Sequence, residues 1–313
     1  MNEYPPEREP RTEREGQPAD RPFENRPPHK RSWVDWLTLI LAALALVLAA
    51  AALFFVLRGE KEEPAPPPPE DPVTFQYRDR TMTPLEGMPV NPYDRAAFST
   101  DERGRLVYEA DGKRARTGID VSVYQKEIDW PAVAADGIEF AILRLGYRGY
   151  TEGGLFMDQN FTQNIQGALD AGLEVGVYFF SQAITPAEAE AEAAYILNAV
   201  EGYEITYPIA FDWEPISSGQ GARTDGLDGE TLTQCAAAFC RKIEQAGRPA
   251  AVYFNQDMGY LSYDLRELTD YALWLAEYDS SPDFYYHFDL WQYTHTGQVA
   301  GIEGDVDLDL DFR

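Results

Sequence analysis

Apolar positions divide the chain into three regimes. Residues 1–31 carry almost no aliphatic side chains and are rich in Pro, Arg and Glu. Residues 37–57 are apolar at every position except Thr38. From Thr117 onward, short apolar runs alternate with amphipathic stretches. The first regime buries too little apolar surface to offset chain entropy, so a disordered tail is expected over 1–36. The second is long enough to cross about 30 Å of hydrocarbon as a single helix. The third is the pattern of strands alternating with helices.

Within the third regime, apolar runs at 118–123, 138–145, 173–181, 207–213, 249–254, 271–276, 290–293 and 306–310 read as strands. Helices are expected from Trp130 and over 158–171, 185–200 and 231–246. Thr185-Pro186-Ala187-Glu188 supplies an N-cap, a first-turn proline and an acid three residues after the cap. Gly172 and Gly247 close the helices before them. Strands that are apolar throughout and separated by helices indicate parallel pairing with both faces covered. The whole predicts an α/β fold: an irregular, TIM-barrel-like β/α barrel over 117–313, preceded by a single transmembrane helix.

In such a barrel, reactive groups gather at the C-terminal strand ends. Acids fall at or near such ends at Asp120, at the pair Asp212 and Glu214, and at Asp307. Period-two alternation sends Asp212 and Glu214 to one face, roughly 7 Å apart. Cleaving a glycosidic bond needs one carboxyl as acid and a second negative group nearby. Alone, the pair fits two solvated, inert acids equally well; acids brought together from separate strands argue for a site.

The apolar span has Trp33 and Trp36 before it, suited to a membrane interface. It ends in Phe54-Phe55-Val56-Leu57-Arg58 with no small-residue cleavage pattern, which favours an uncleaved anchor. Lys30, Arg31 and five further arginines precede it, while Arg58 and Lys61 are the close positive charges after it. The positive-inside rule then gives a single-pass protein of the cell membrane, with its N-terminus cytoplasmic and the barrel extracellular. Residues 58–72, with prolines at 64 and 66–69 flanked by acids, read as a stiff spacer. Residues 73–116 form a lead-in expected to pack on the barrel, with a hairpin turning at Asp111-Gly112.

Charge and composition then narrow the partners. A net charge of -27 argues against nucleic acid, whose phosphates call for clustered Lys and Arg. Two cysteines and three histidines make no zinc cluster. Cys235 and Cys240 lie five apart in an expected helix, roughly 8 Å between Cα atoms, beyond disulfide reach. No cofactor or metal is expected.

Several motifs occur in a telling order: Gly118-Ile119-Asp120-Val121-Ser122 with Tyr124-Gln125 and Ile128-Asp129-Trp130; Arg144-Leu145-Gly146-Tyr147; Asp158, Asn160 and Phe161; Gly176-Val177-Tyr178-Phe179; Phe211-Asp212-Trp213-Glu214; Leu273-Trp274-Leu275-Ala276; Trp291-Gln292-Tyr293-Thr294; and Val306-Asp307-Leu308-Asp309. Together they resemble the glycoside hydrolase family 25 lysozymes over about 117–313. The resemblance implies hydrolysis of the β-1,4 bond between N-acetylmuramic acid and N-acetylglucosamine in peptidoglycan glycan strands. It implies Glu214 as general acid, with Asp212, Asp120 and Asp307 as its partners. Tyr147, Tyr178, Trp274 and Gln292 would line the groove.

Arg144 is equally suited to binding substrate or to pairing with an acid, and His295 reads as a surface-loop residue. A neighbouring charge such as Asp212 would raise the pKa of Glu214. Two routes stay open for the step after protonation: direct attack by Asp212 or Asp120, or attack by the substrate's own acetamido oxygen. The competing functional class is a glycan-binding scaffold of the same fold without turnover.

Overall fold

The computed structural model describes residues 32–57, 73–216 and 221–313. The tail expected over 1–36 therefore lies outside the described residues up to 31, and the expected spacer at 58–72 lies wholly outside them. The chain divides into two units, residues 1–71 and 72–313.

In the first unit, helix α1 (Trp33–Leu57) begins four residues before the all-apolar run. Asp35 starts it: its carboxylate accepts the backbone N–H of Ser32 at 2.8 Å, the return half of a capping box. At 1.5 Å per residue the helix is about 37 Å long. It is long and apolar enough to cross a membrane.

The second unit opens with the hairpin β1 (Phe75–Tyr77) and β2 (Arg80–Met82), then the sheet β3 (Phe98–Thr100), β4 (Leu106–Ala110) and β5 (Lys113–Arg114). Asp111 and Gly112 join β4 to β5 with φ of 53° and 74°. Such a turn twists with its strands, and Asp-Gly suits it because both positions need positive φ. Tyr93 stacks on Phe312 at 4.0 Å and Phe98 meets Trp291 edge-on at 5.4 Å, so this segment covers an outer wall of the barrel.

The barrel follows: β6 (Arg116–Val121), α2 (Trp130–Ala135), β7 (Phe140–Arg148), β8 (Leu155–Met157), α3 (Phe161–Asp170), β9 (Glu174–Ser181), α4 (Pro186–Ala199), β10 (Ile209–Trp213), α5 (Gly229–Gln245), β11 (Ala250–Asn255), α6 (Gln256–Leu261), β12 (Ala272–Ala276), β13 (Leu290–Gly297) and β14 (Val306–Asp311). Around the ring the order is β6, β7, β9, β10, β11, β12, β13, β14 and back to β6. The short β8 hangs outside the ring, on β7.

Parallel pairing holds from β6 round to β13, but β14 runs antiparallel to both neighbours. The expectation of parallel strands throughout fails here for a simple reason. Only residues 298–305 separate β13 from β14. A parallel return needs a crossover of a dozen or more residues, whereas a short loop permits reversal.

Period-two alternation sorts each strand between two cores. On β10, Phe211 faces outward and meets Phe239 of α5 at 5.3 Å. Ala210 faces inward with Phe140, Ile142, Tyr253, Trp274 and Leu290. Tyr207 and Phe140 stack at 4.3 Å low in the barrel, and the Tyr207 hydroxyl donates to Asp311 at 2.6 Å. This aromatic plug closes one end, so the inward polar positions accumulate at the other. Cys235 and Cys240 are free and buried on α5.

Candidate active site

Four acids meet at the open end of the barrel. Asp120 is the penultimate residue of β6, and Asp212 the penultimate residue of β10. Glu214 lies one residue past β10, on the same inward parity as Asp212. Asp307 reaches this end differently from the expectation. It is the second residue of β14, not near its C-terminal end, and the reversal of β14 carries it to the mouth. In the ladder it sits directly opposite Asp120.

Burial sets the electrostatics. Asp120 is 6% exposed and Asp212 is 5% exposed. Burial pushes Asp120 well above the usual carboxylate range, and the charges of Asp307, Asp309 and Asp212 push further; an N–H bond from Gln292 opposes them. Asp212 is raised by burial and then by Glu214, with Arg144 opposing. Glu214 is raised by burial and then by Asp307. Asp307 is raised to about 6, mainly by burial, with His295 opposing. Asp212 and Glu214 repel one another as a close buried pair, and the charge of Asp307 acts on Glu214 as well.

The aromatic and amide groups take distinct places. Gln292 is the hub. Its Nε2–H donates to Asp120 Oδ2 at 2.7 Å, while its Oε1 accepts the hydroxyls of Tyr253 at 3.0 Å and Tyr278 at 2.9 Å. Tyr178 points inward among the acids, and the charges of Asp120, Asp212 and Asp307 all act on it. Arg144 pairs with Asp158 at 2.7 Å and lies 5.0 Å from the Tyr124 ring centre. Its charge still reaches Asp212 and Tyr178.

Two of the groove candidates lie at different depths. Trp274 is 1% exposed and forms the floor below the acids, because it lies two residues short of the end of β12. Tyr147 is 38% exposed on the rim, stacked on Phe156 at 5.4 Å, outside the acids' hydrogen-bond network. His295 lies on β13 rather than in a loop, with its ring 4.5 Å from that of Tyr278.

Three residues escaped the sequence reading. Asp309 shares the inward parity of Asp307, and Tyr253 that of Ala251, so alternation alone points to both. Tyr278 follows β12 in a loop and carries no such signal. Beside the mouth, a cavity of about 510 Å³ runs between Tyr278, Tyr293 and His295 on one side and Arg103 and Arg105 of the lead-in on the other. Among the described residues, no group of three or more His, Cys, Asp or Glu is disposed to hold a metal ion.

Residues 119–302 match the sequence model of the glycosyl hydrolases family 25. The chain belongs to this family. Among family relatives, the autolytic lysozyme of Clostridium acetobutylicum is 28% identical over 193 residues, covering 61% of this chain and 54% of that protein. Lysozyme M1 of Streptomyces globisporus is 28% identical over 200 residues, covering 61% and 65%. The chain thus spans about half to two thirds of the length of these relatives. A solved structure of the modular autolysin LytC from Streptococcus pneumoniae, in complex with a synthetic peptidoglycan ligand, superposes with a TM-score of 0.54. It is 22% identical and the match covers 68% of this chain and 56% of that one, a likeness of fold.

Proposed function

We propose that this protein is an N-acetylmuramidase anchored in the cell membrane by α1. It hydrolyses the β-1,4 bond between N-acetylmuramic acid and N-acetylglucosamine, for remodelling or degradation of the cell wall. The observation that carries the reading is Glu214: a partly buried carboxyl at the barrel mouth, biased toward its protonated form by burial and by Asp307. Among the described residues no donor is bonded to its carboxyl, so the proton is free to go to a substrate oxygen.

In this reading Glu214 protonates the leaving oxygen, and the bond from that oxygen to the anomeric carbon breaks. The oxocarbenium-like centre forms among Asp120, Asp212 and Asp307, whose negative field lowers its energy. Asp212 Oδ1 is buried and has no hydrogen-bond partner. That oxygen can attack the anomeric carbon, or accept the acetamido N–H while the acetamido oxygen attacks. Glu214, now ionised, takes a proton from the water that completes hydrolysis. Tyr178 and Gln292 line the pocket, and Arg144 holds its rim to Asp158. The domain order is a cytoplasmic tail over 1–36, the span, a spacer over 58–72, the lead-in over 73–116 and the catalytic barrel over 117–313.

The test is digestion of purified peptidoglycan by the full chain in detergent, with mass analysis of the fragments. New reducing ends at N-acetylmuramic acid are expected. Ends at N-acetylglucosamine would move the cleavage to the other bond, and no new ends would leave a glycan-binding scaffold.

A further inference from the structure

The lead-in builds one wall of the cavity beside the mouth. The family match begins at residue 119, and Arg103 and Arg105 lie before it. Both line the cavity of about 510 Å³, together with Tyr278, Asp279, His295 and Thr296. That volume is within the roughly 300–1,000 Å³ of small-molecule sites. Tyr278 joins this space to the acids. Its ring lines the cavity and is 52% exposed, and its hydroxyl donates to Gln292, which in turn donates to Asp120.

Both walls are fixed by hydrogen bonds within the fold. Arg105 is 5% exposed, and its guanidinium donates to the Asp136 carboxylate, to the Asp136 carbonyl at 2.7 Å and to the Gln298 carbonyl at 3.1 Å. The turn at 101–105 is thereby tied to the end of α2 and to the loop after β13. Asp101 closes that turn: its carboxylate accepts the backbone N–H of Arg103 at 2.9 Å and of Arg105 at 2.8 Å. On the other wall, Arg95 donates to Ser281 at 3.1 Å and ties the lead-in to the loop that carries Tyr278. Walls held in advance lose little freedom when a ligand is bound.

The groups left open suit a neutral sugar. Arg103 uses only Nε on Asp136, at 3.0 Å, and its terminal amino groups have no partner among the described residues. Asp279 bonds to Ser280 through one carboxylate oxygen, and the other has no donor among the described residues. With Arg105 matched by Asp136, Arg103 and Asp279 leave the cavity without net charge, so it does not select an anion. A pyranose can lay its C–H face on an aromatic ring, accept an N–H from Arg103 and give an O–H to Asp279. Tyr278 and His295, with ring centres 4.5 Å apart, supply the aromatic surface. A peptide stem bearing carboxylates would meet the charge of Asp279.

We propose that the cavity between Arg103 and Tyr278 is a further sugar subsite, holding an N-acetylhexosamine of a glycan strand that continues beyond the acids. The lead-in completes this subsite, so residues 73–116 set how much of a strand the protein grips. The identity of the strand rests on the muramidase reading; affinity for sugar in the cavity does not depend on turnover.

Calorimetry on the full chain in detergent tests it, with peptide-free peptidoglycan oligosaccharides of increasing length as the probe. Arg103→Ala should weaken binding of the longer oligosaccharides on the order of tenfold and leave the shortest unchanged. Asp279→Ala should show the same dependence on length. Both side chains are exposed, and Asp136 keeps Arg105 as its partner, so the two variants should melt as wild type does. If Arg103→Ala does not fold, Asp279→Ala decides alone. An equal loss at every length, or no loss at any, overturns the subsite. A loss confined to strands that keep their peptide stems assigns the cavity to the stem and overturns it too. A wild type that binds with this dependence on length and yields no new reducing ends sinks the muramidase reading and leaves the subsite standing.

Discussion

Asp307 faces Asp120 across the antiparallel β6–β14 ladder, so two carboxyls from opposite ends of the barrel sequence share one rung at its mouth. That rung governs how the site holds protons. Replacing Asp307 by Asn removes the charge that burial leaves acting on Glu214. Ionising Glu214 then costs less, its pKa falls, and its acid form is lost at lower pH. The alkaline limb of the kcat/KM profile on peptidoglycan should therefore move toward acid in Asp307→Asn. A limb that stays in place would separate Glu214 from Asp307.

Glu214→Gln keeps the size of the side chain and removes the transferable proton. General acid catalysis contributes on the order of a hundredfold to ten-thousandfold. Reducing-end release from purified peptidoglycan should fall by that factor, with the thermal melt of the barrel within a few degrees of wild type. Retained turnover would refute the assignment of the acid.

The same carboxyls make stability depend on pH. Asp120, Asp212, Glu214, Asp307 and Asp309 are all raised above their unfolded values. In the range between the two values the native state binds more protons than the unfolded chain, so stability falls as pH rises. For Asp307 the fall begins near the unfolded value of about 4 and is complete above its folded value of about 6. Melting temperatures should drop between pH 5 and pH 7.5, and Asp307→Asn should flatten that drop. A melting temperature that climbs over this range would contradict the burial argument.

Much of the architecture was legible because its signals are local. Caps at Thr185 and glycines at 172 and 247 set helix ends, and apolar runs set strands. The reversal of β14 was legible too, in the short loop at 298–305, but a loop length was outweighed by the parallel pattern before it. At the site, alternation carried Asp212, Glu214 and Tyr178 inward, while depth along the strand did not show. Trp274 and Gln292 both face inward, yet one is floor and the other is mouth, since β12 and β13 end at different heights: Ala276 is the rung partner of Gln292. Tyr278 is placed by a loop, and nothing local fixes where a loop hydroxyl lands.

Gln292 tests whether the mouth is held by its polar network. Its amide oxygen takes two tyrosine hydroxyls and its N–H takes Asp120. Gln292→Leu preserves bulk but leaves the buried Asp120 and Tyr253 hydroxyl short of a partner, while the exposed Tyr278 can turn to water. Such losses cost about 1–3 kcal/mol for each unsatisfied group. Chemical denaturation should show at least that loss, and kcat should fall because Asp120 loses a fixed donor. A variant as stable and active as wild type would mean that the Gln292 contacts are incidental.

The topology prediction stands on the asymmetry around α1. Five arginines, Lys30 and Arg31 precede it in the sequence, and the barrel residues follow it. Each charge kept on the cytoplasmic side favours the orientation that leaves the N-terminus inside. A reporter that is active only outside the cytoplasm, fused after Leu57, should be active in cells, and the same reporter at the N-terminus should be silent. Deleting residues 1–57 should release the remaining chain from washed membranes into the soluble fraction. Export of that shortened chain would then need a separate signal, so it should accumulate in the cytoplasm, where peptidoglycan is out of reach. An active reporter at the N-terminus would invert the topology and place the barrel on the wrong side of the membrane for a wall hydrolase.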